Sequence, residues 1–148
     1  MIESRVVQCL LRIAEKRGYR VIQNNKLQYP ETDFDNKTIA FAKNDLTFFH
    51  VVHEVAHVFL GKHKNKRDFH LREALAESIA IKVRQAYGNP ITYNDDAYIL
   101  GHLSAGVITP AAFARHRSRV DEIADIIIAG IRSEYDAYHG ITRRSGKP

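Results

Sequence analysis

The chain has 148 residues, of which 45% are hydrophobic and 26% charged, with a net charge of +5 at neutral pH. That length predicts one domain around one core, and no window is long and apolar enough for a membrane span. A single cysteine, Cys9, excludes an internal disulfide framework and fits a reducing cytosol, so the expected location is the cytoplasm.

The N-terminal stretch carries an acid at Glu3, and its apolar run ends after a few residues, so it does not read as a signal peptide. Instead Val6, Val7, Leu10, Leu11 and Ile13 repeat at helical spacing, which predicts a helix over 4–17 ended by Gly18. Cys9 falls within that pattern and is expected to be a buried thiol. Tyr19 to Ile22 reads as a short strand and Asn24-Asn25 as a turn. Residues 27–36 contain Pro30 and several acids and read as loop, with a brief strand over 27–29. Asp35-Asn36 marks a tight turn, and the alternation over 37–42 predicts a strand.

Asn44 or Asp45 is the expected cap of the next helix, which ends at Leu60-Gly61. That helix contains His53-Glu54-Val55-Ala56-His57. Residues four apart share a helix face, so His53 and His57 aim two imidazoles at one point, and Glu54 sits one step round. Two histidines at this spacing with an intervening glutamate are two ligands of a zinc site and its general base. In a chain with 8 histidines, chance alone produces the pattern about twice in a hundred. The apolar helical setting and the glycine stop argue against chance.

Residues 62–69 read as a basic connection. From about 70 to 87 runs a helix that is apolar nearly all round, as buried helices are. It nevertheless carries Glu73 and Glu77 on one face. Two carboxylates buried together without partners are costly. The pair makes sense if one binds zinc and the other accepts a hydrogen bond from a ligand histidine, fixing its tautomer. Gly88-Asn89-Pro90 ends this helix. Another follows over 95–105, stopped by Gly106, and Thr109-Pro110 opens a short one. A long amphipathic helix runs from Val120 through Tyr138, and 141–148 reads as a flexible basic tail.

The expected domain is therefore α+β and mainly helical, with a small antiparallel sheet before the His-Glu helix. Residues 1–45 supply the first helix and the sheet, and 46–140 the helices that carry the site. The expected chemistry is zinc-dependent hydrolysis of a peptide bond, with Glu54 taking a proton from the attacking water. Donors to the developing oxyanion would come from outside the motif, and Tyr98, His102, Arg115 and His116 are the candidates. His50 is expected outside the ligand set, and His63 and His70 in solvent. The basic runs at 62–67, 115–119 and 143–147 admit a nucleic-acid partner through charge alone, without interleaved aromatic residues.

Glu73-Ala74-Leu75-Ala76-Glu77 resembles the Glu-x-x-x-Asp element of gluzincin peptidases such as the thermolysin group. That resemblance implies Glu73 as third ligand and Glu77 as the residue that orients a histidine. It also implies a zincin-like fold, in which the strand over 37–42 forms the cleft's edge and pairs with an extended peptide. The order of short helix, strands, His-Glu helix and Glu-bearing helix resembles the ImmA/IrrE group of small zinc peptidases. Over roughly 39–131 the chain is similar to the metallopeptidase domain of ArdC-type antirestriction proteins. The likeness lies in Arg72 to Glu77, in Ala97-Tyr98-Ile99 with Leu103, and in Thr109-Pro110-Ala111-Ala112-Phe113 through Asp125. His102 stands where that family commonly has tryptophan. The loop after His57 is shorter, and the family's N-terminal single-strand-DNA-binding domain has no counterpart in 1–45. The resemblance implies a phage, plasmid or prophage origin and a specific protein substrate. It also leaves open an antirestriction or nucleic-acid-binding module that contains zinc but does not cleave.

Overall fold

The computed structural model describes the backbone of residues 2–145 and the side chains of 4–138. Helix α1 (Ile2–Lys16) is followed by strands β1 (Arg20–Gln23), β2 (Glu31–Asp33) and β3 (Thr38–Phe41). A single 3-10 turn (Lys43–Asp45) leads into α2 (Phe48–Leu60), and α3 (Lys66–Ala86), α4 (Tyr93–Ala105), α5 (Pro110–Ala114) and α6 (Arg117–Ser145) complete the fold. The protein is thus α+β and mostly helical, with one three-stranded sheet. No helix among the described residues is long and apolar enough to cross a membrane.

Helix α2 is the centre of this arrangement. It packs on α1 and α3, and α6 closes the layer by packing on both of those. Leu10 and Ala14 of α1, Val51, Val52 and Val55 of α2, Ile79 and Val83 of α3, and Ile127 and Ile131 of α6 form the continuous core. Alternation at i, i+3 and i+4 in each helix puts these side chains on inward faces. Helix α4 docks on α3 through a smaller cluster of Ala74, Leu103 and Ile108. Gly106, at the end of α4, permits this approach. A Cβ there would stand 2.9 Å from the His70 Cβ and from Ile108 Cδ1.

The sheet corrects three expectations. It is mixed rather than antiparallel: β3 is central, pairing parallel with β1 (Val21 opposite Ile39) and antiparallel with β2 (Thr32 opposite Ile39). Alternation is the same in both pairings, so it carried no information on direction. The 24–37 connection is long enough to return the chain for a parallel pairing. The expected edge strand, β3, is therefore interior and fully buried, and β1 and β2 are the two edges, β2 on the cleft side. The strand expected over 27–29 lies instead at Glu31–Asp33, just past Pro30. The Asp33 carboxylate ends it by accepting the N–H groups of Asp35 and Asn36, both at 3.0 Å.

Helix boundaries shift for local reasons. Thr47, not Asn44 or Asp45, caps α2, its hydroxyl accepting the His50 N–H, because the earlier pair lies in the 3-10 turn. Gly61 closes the helix at φ 80°, with its N–H on His57 O, a left-handed position that favours glycine. Helix α3 starts at Lys66, four residues early, since the Asn65 side chain accepts the Asp68 N–H at 2.8 Å. Helix α6 continues to Ser145 through much of the expected basic tail, whose last residues, 146–148, lie outside the described residues.

Candidate metal site and cleft

One turn of α2 separates His53 from His57, and both face α3. Their Nε2 atoms are 3.2 Å apart. Glu73 of α3 places Oε2 3.0 Å from the first and 2.9 Å from the second. The three atoms form a nearly equilateral triangle. On the other side of His53, Glu77 Oε1 lies 2.9 Å from Nδ1. An ionised carboxylate only accepts, so Nδ1 carries a proton. Nε2 therefore turns toward Glu73, as a metal ligand would.

Charge at this point is unbalanced without a cation. Glu54, Glu73 and Glu77 converge on two imidazoles, and Glu54 and Glu77 are buried. Burial pushes His53 down, but the hydrogen bonds to Glu73 and Glu77 and the nearby Glu54 charge outweigh it, and its pKa rises to about 10. Burial raises the Glu73 carboxyl, yet the two histidines hold it far below the usual range. In the metal-free protein an extra proton on His53 thus stands where a cation would. The triangle fits zinc: bonds of about 2.0–2.1 Å in a tetrahedron put neighbouring ligand atoms about 3.3 Å apart, a few tenths more than observed.

Behind His53 and Glu73 runs a second line of polar residues. Arg84, buried on α3, reaches Glu77 Oε2 at 3.5 Å and Asp95 Oδ1 at 2.8 Å, and its guanidinium lies 4.3 Å over the Phe49 ring. Asp95 is 1% exposed and forms the capping box of α4 with Thr92. Burial raises its carboxyl, but the bonds from Arg84 and the Thr92 N–H hold it below the ordinary value. The chain His53–Glu77–Arg84–Asp95 thereby ties the imidazole's orientation to two helices.

Glu54 faces the cleft beside the ligand triangle, its Oε2 4.0 Å from His53 Nε2. The potential ligand atoms of His53, Glu54 and His57 all lie within 4.8 Å of one another. The hydroxyl of Thr32, on the edge strand β2, donates to Glu54 Oε1 at 2.9 Å. Burial raises the Glu54 carboxyl against the opposing pull of both histidines and Thr32.

The cleft has two lobes that share Pro30, Glu54, Phe69 and Glu73. One is rimmed by Tyr29, Phe49, Tyr98 and His102, the other by Thr32, Phe34, His63 and Arg72. Of the sequence candidates, Tyr98 belongs to the site, its hydroxyl donating to Glu73 Oε2 at 3.1 Å. Burial and the Glu73 charge raise its pKa strongly, so it stays a neutral donor. His102 packs on Tyr98 with ring centroids 4.6 Å apart, and burial lowers its pKa. His50 lines the first lobe beside its helix cap, Thr47. Arg115 and His116 sit at the corner between α5 and α6, outside the lining of either lobe. His63 is exposed, but His70 is not simply solvated. Its Nδ1 lies 2.9 Å from His102 Nδ1.

Three site residues escaped the sequence reading. Arg84 had a signal, an arginine seven positions after Glu77 and so two turns along the same helix face. Asp95 had a weaker one, its place three residues after a capping threonine. Thr32 had none, because its contact depends on the fold of the sheet. A separate groove between α1 and α6, lined by Gln8, Arg12 and Glu134, is remote from these residues.

Compared with known proteins, the chain matches no protein-family model, no curated protein and no solved structure.

Proposed function

We propose that the protein is a zinc metallopeptidase of zincin-like architecture. The observation that carries this reading is the position of Glu73 Oε2, within 3.0 Å of both imidazole Nε2 atoms, while Glu77 holds His53 by its other nitrogen. His53, His57 and Glu73 would hold the ion, which when bound supplies an acidified water and stabilises negative charge. Glu54 takes the proton of the attacking water and passes it to the departing amine. Thr32 fixes one carboxylate oxygen of Glu54 and leaves the other for that transfer. Tyr98 and His102 flank the same lobe and offer neutral donors to a carbonyl oxygen that gains charge.

An extended peptide fits the surroundings. The outer side of β2 carries no strand among the described residues. A chain pairing there passes Thr32 and hence Glu54. The substrate is a specific protein partner in the cytoplasm, and the ArdC and ImmA/IrrE likeness favours a mobile-element origin. The test is zinc content and peptide hydrolysis by the purified protein beside Glu54→Gln, which should keep the metal and lose turnover.

The basic stretches at 62–67 and 115–119 favour a second reading, a zinc-containing antirestriction or nucleic-acid-binding module without proteolysis. A salt-dependent DNA affinity that survives Glu54→Gln, with no cleavage by the unaltered protein, would select it.

A further inference from the structure

The two basic stretches, far apart in sequence, meet at one corner of the fold. The Arg119 guanidinium reaches the Phe59 carbonyl at 3.5 Å, three residues before Lys62. Leu71 of α3 and Phe113 of α5 pack against the same Ala74–Leu103–Ile108 cluster. Leu71 also borders a hollow lined by Lys64, Lys66 and Arg67. These contacts place the second turn of α3, one turn beyond Arg67, close to α5. Lys64, Lys66, Arg67, Arg115, Arg117 and Arg119 are all exposed. Over 62–68 and 115–122 seven cations stand beside three acids, Asp68, Asp121 and Glu122, a net +4 against +5 for the whole chain.

Little on this corner neutralises them. Asp68 is the only acid in 62–68, and it is occupied by the Lys64 N–H at 2.7 Å and the Arg72 Nε at 3.0 Å. In the α6 turn that follows Arg119, Asp121 is paired with Lys82, which leaves Glu122 as its exposed acid. The face also continues from the cleft. Gly61, His63 and Arg72 line the second lobe, and Lys64 is the next residue after His63. A chain leaving that lobe along 61–64 runs onto the cations.

We infer that this corner docks an acidic segment of a polypeptide whose adjoining residues occupy the cleft. The inference rests on the peptidase reading for what the cleft holds, and it adds the chemistry of the substrate beyond the scissile bond. A nucleic acid fits less well. Single strands are usually held by bases stacked on aromatic rings between the cations. Here the exposed ring nearest the basic loop, Phe69, lines the cleft instead. Docking by exposed charges steers encounter and adds affinity in modest steps per pair.

The test uses the full chain and a fluorescent Glu-rich peptide, its Gln counterpart, and a single-stranded DNA of equal charge. The Glu peptide should bind, the Gln peptide should not, and the affinity should fall as salt rises. Reversal of Lys66, Arg67 and Arg117 to Glu together should weaken binding about tenfold or more, while reversal of Lys26, outside the face, should leave it unchanged. Each variant is first checked for native far-UV circular dichroism and an unchanged melting temperature. Equal binding of the Glu and Gln peptides overturns the inference, and so does DNA that binds more tightly than the Glu peptide. Metal-stripped protein should bind the Glu peptide as well as the loaded protein does. A chain that takes up no zinc on reconstitution yet still binds the Glu peptide therefore sinks the peptidase reading alone. A chain with zinc that ignores it sinks the docking face alone.

Discussion

Glu77 Oε1 lies 2.9 Å from Nδ1 of His53, and this bond sets which nitrogen of the imidazole is left for a metal. Replacing Glu77 by Gln keeps the shape but removes the charge that fixes the tautomer. Zinc affinity should fall about 10–100-fold, with the ion still bound at saturating concentration. Glu73→Gln should lose far more, because it alters a ligand. Competition with a chromophoric chelator measures both. If the Glu77 variant fails to hold zinc while the Glu73 variant retains full affinity, the two roles are reversed.

Arg84 is buried between two carboxylates, with Glu77 Oε2 at 3.5 Å and Asp95 Oδ1 at 2.8 Å. Removing one partner of a buried ion network leaves uncompensated charge, which costs about 3–5 kcal/mol. Arg84→Met should destabilise the fold on that scale in urea unfolding. Adding Asp95→Asn should restore part of the loss, since fewer charges are stranded. A loss below about 1 kcal/mol for the single variant would show that the network carries no such burden.

Asp95 also gives a pH dependence with a definite sign. Its folded pKa lies below the ordinary aspartate value of 3.8 because, against burial, Arg84 and the Thr92 N–H favour the ionised form. A depressed folded pKa stabilises the native state above the unfolded pKa. That contribution is lost as pH falls below about 3.8 toward the folded value. Urea unfolding at stepped pH should therefore show a steeper acid decline for the unaltered protein than for Asp95→Asn. Parallel curves would contradict the assignment.

The hydroxyl of Thr32 holds Glu54 at 2.9 Å from a different element of the fold. Thr32→Val leaves a buried carboxylate short of a donor, so stability should drop by about 1–3 kcal/mol, whereas Thr32→Ser should be nearly neutral. In a double-mutant cycle, Thr32→Val should cost little once Glu54 is Ala, which removes the acceptor. Equal costs in both backgrounds would show that the bond is not energetically coupled.

Much of the site was legible because helical spacing is a local property. His53, Glu54 and His57 share a face by arithmetic. Glu73 and Glu77 stood out because carboxylates on a buried helix need a reason. Gly61 announced the end of α2 because few other residues adopt its backbone angle. The sheet was less legible. Alternation over 37–42 locates β3 but carries nothing on its neighbours or their directions, and the cleft-edge place that the zincin resemblance implies for β3 is taken by β2. The start of α3 was obscured by the surrounding charges, among which Asn65 acts as a cap. Thr32, Arg84 and Asp95 depend on contacts between separate elements, which no window of sequence contains. His70 was read as solvated for the same reason, its partner His102 lying on another helix.

The central claim is that His53, His57 and Glu73 together hold a zinc ion. Elemental analysis of the purified protein, the His53→Ala variant and the Glu73→Gln variant tests it most directly. The account predicts stoichiometric zinc in the unaltered chain, none in His53→Ala, and strongly reduced occupancy in Glu73→Gln. Zinc absent from the unaltered chain after reconstitution, or undiminished in His53→Ala, would contradict it.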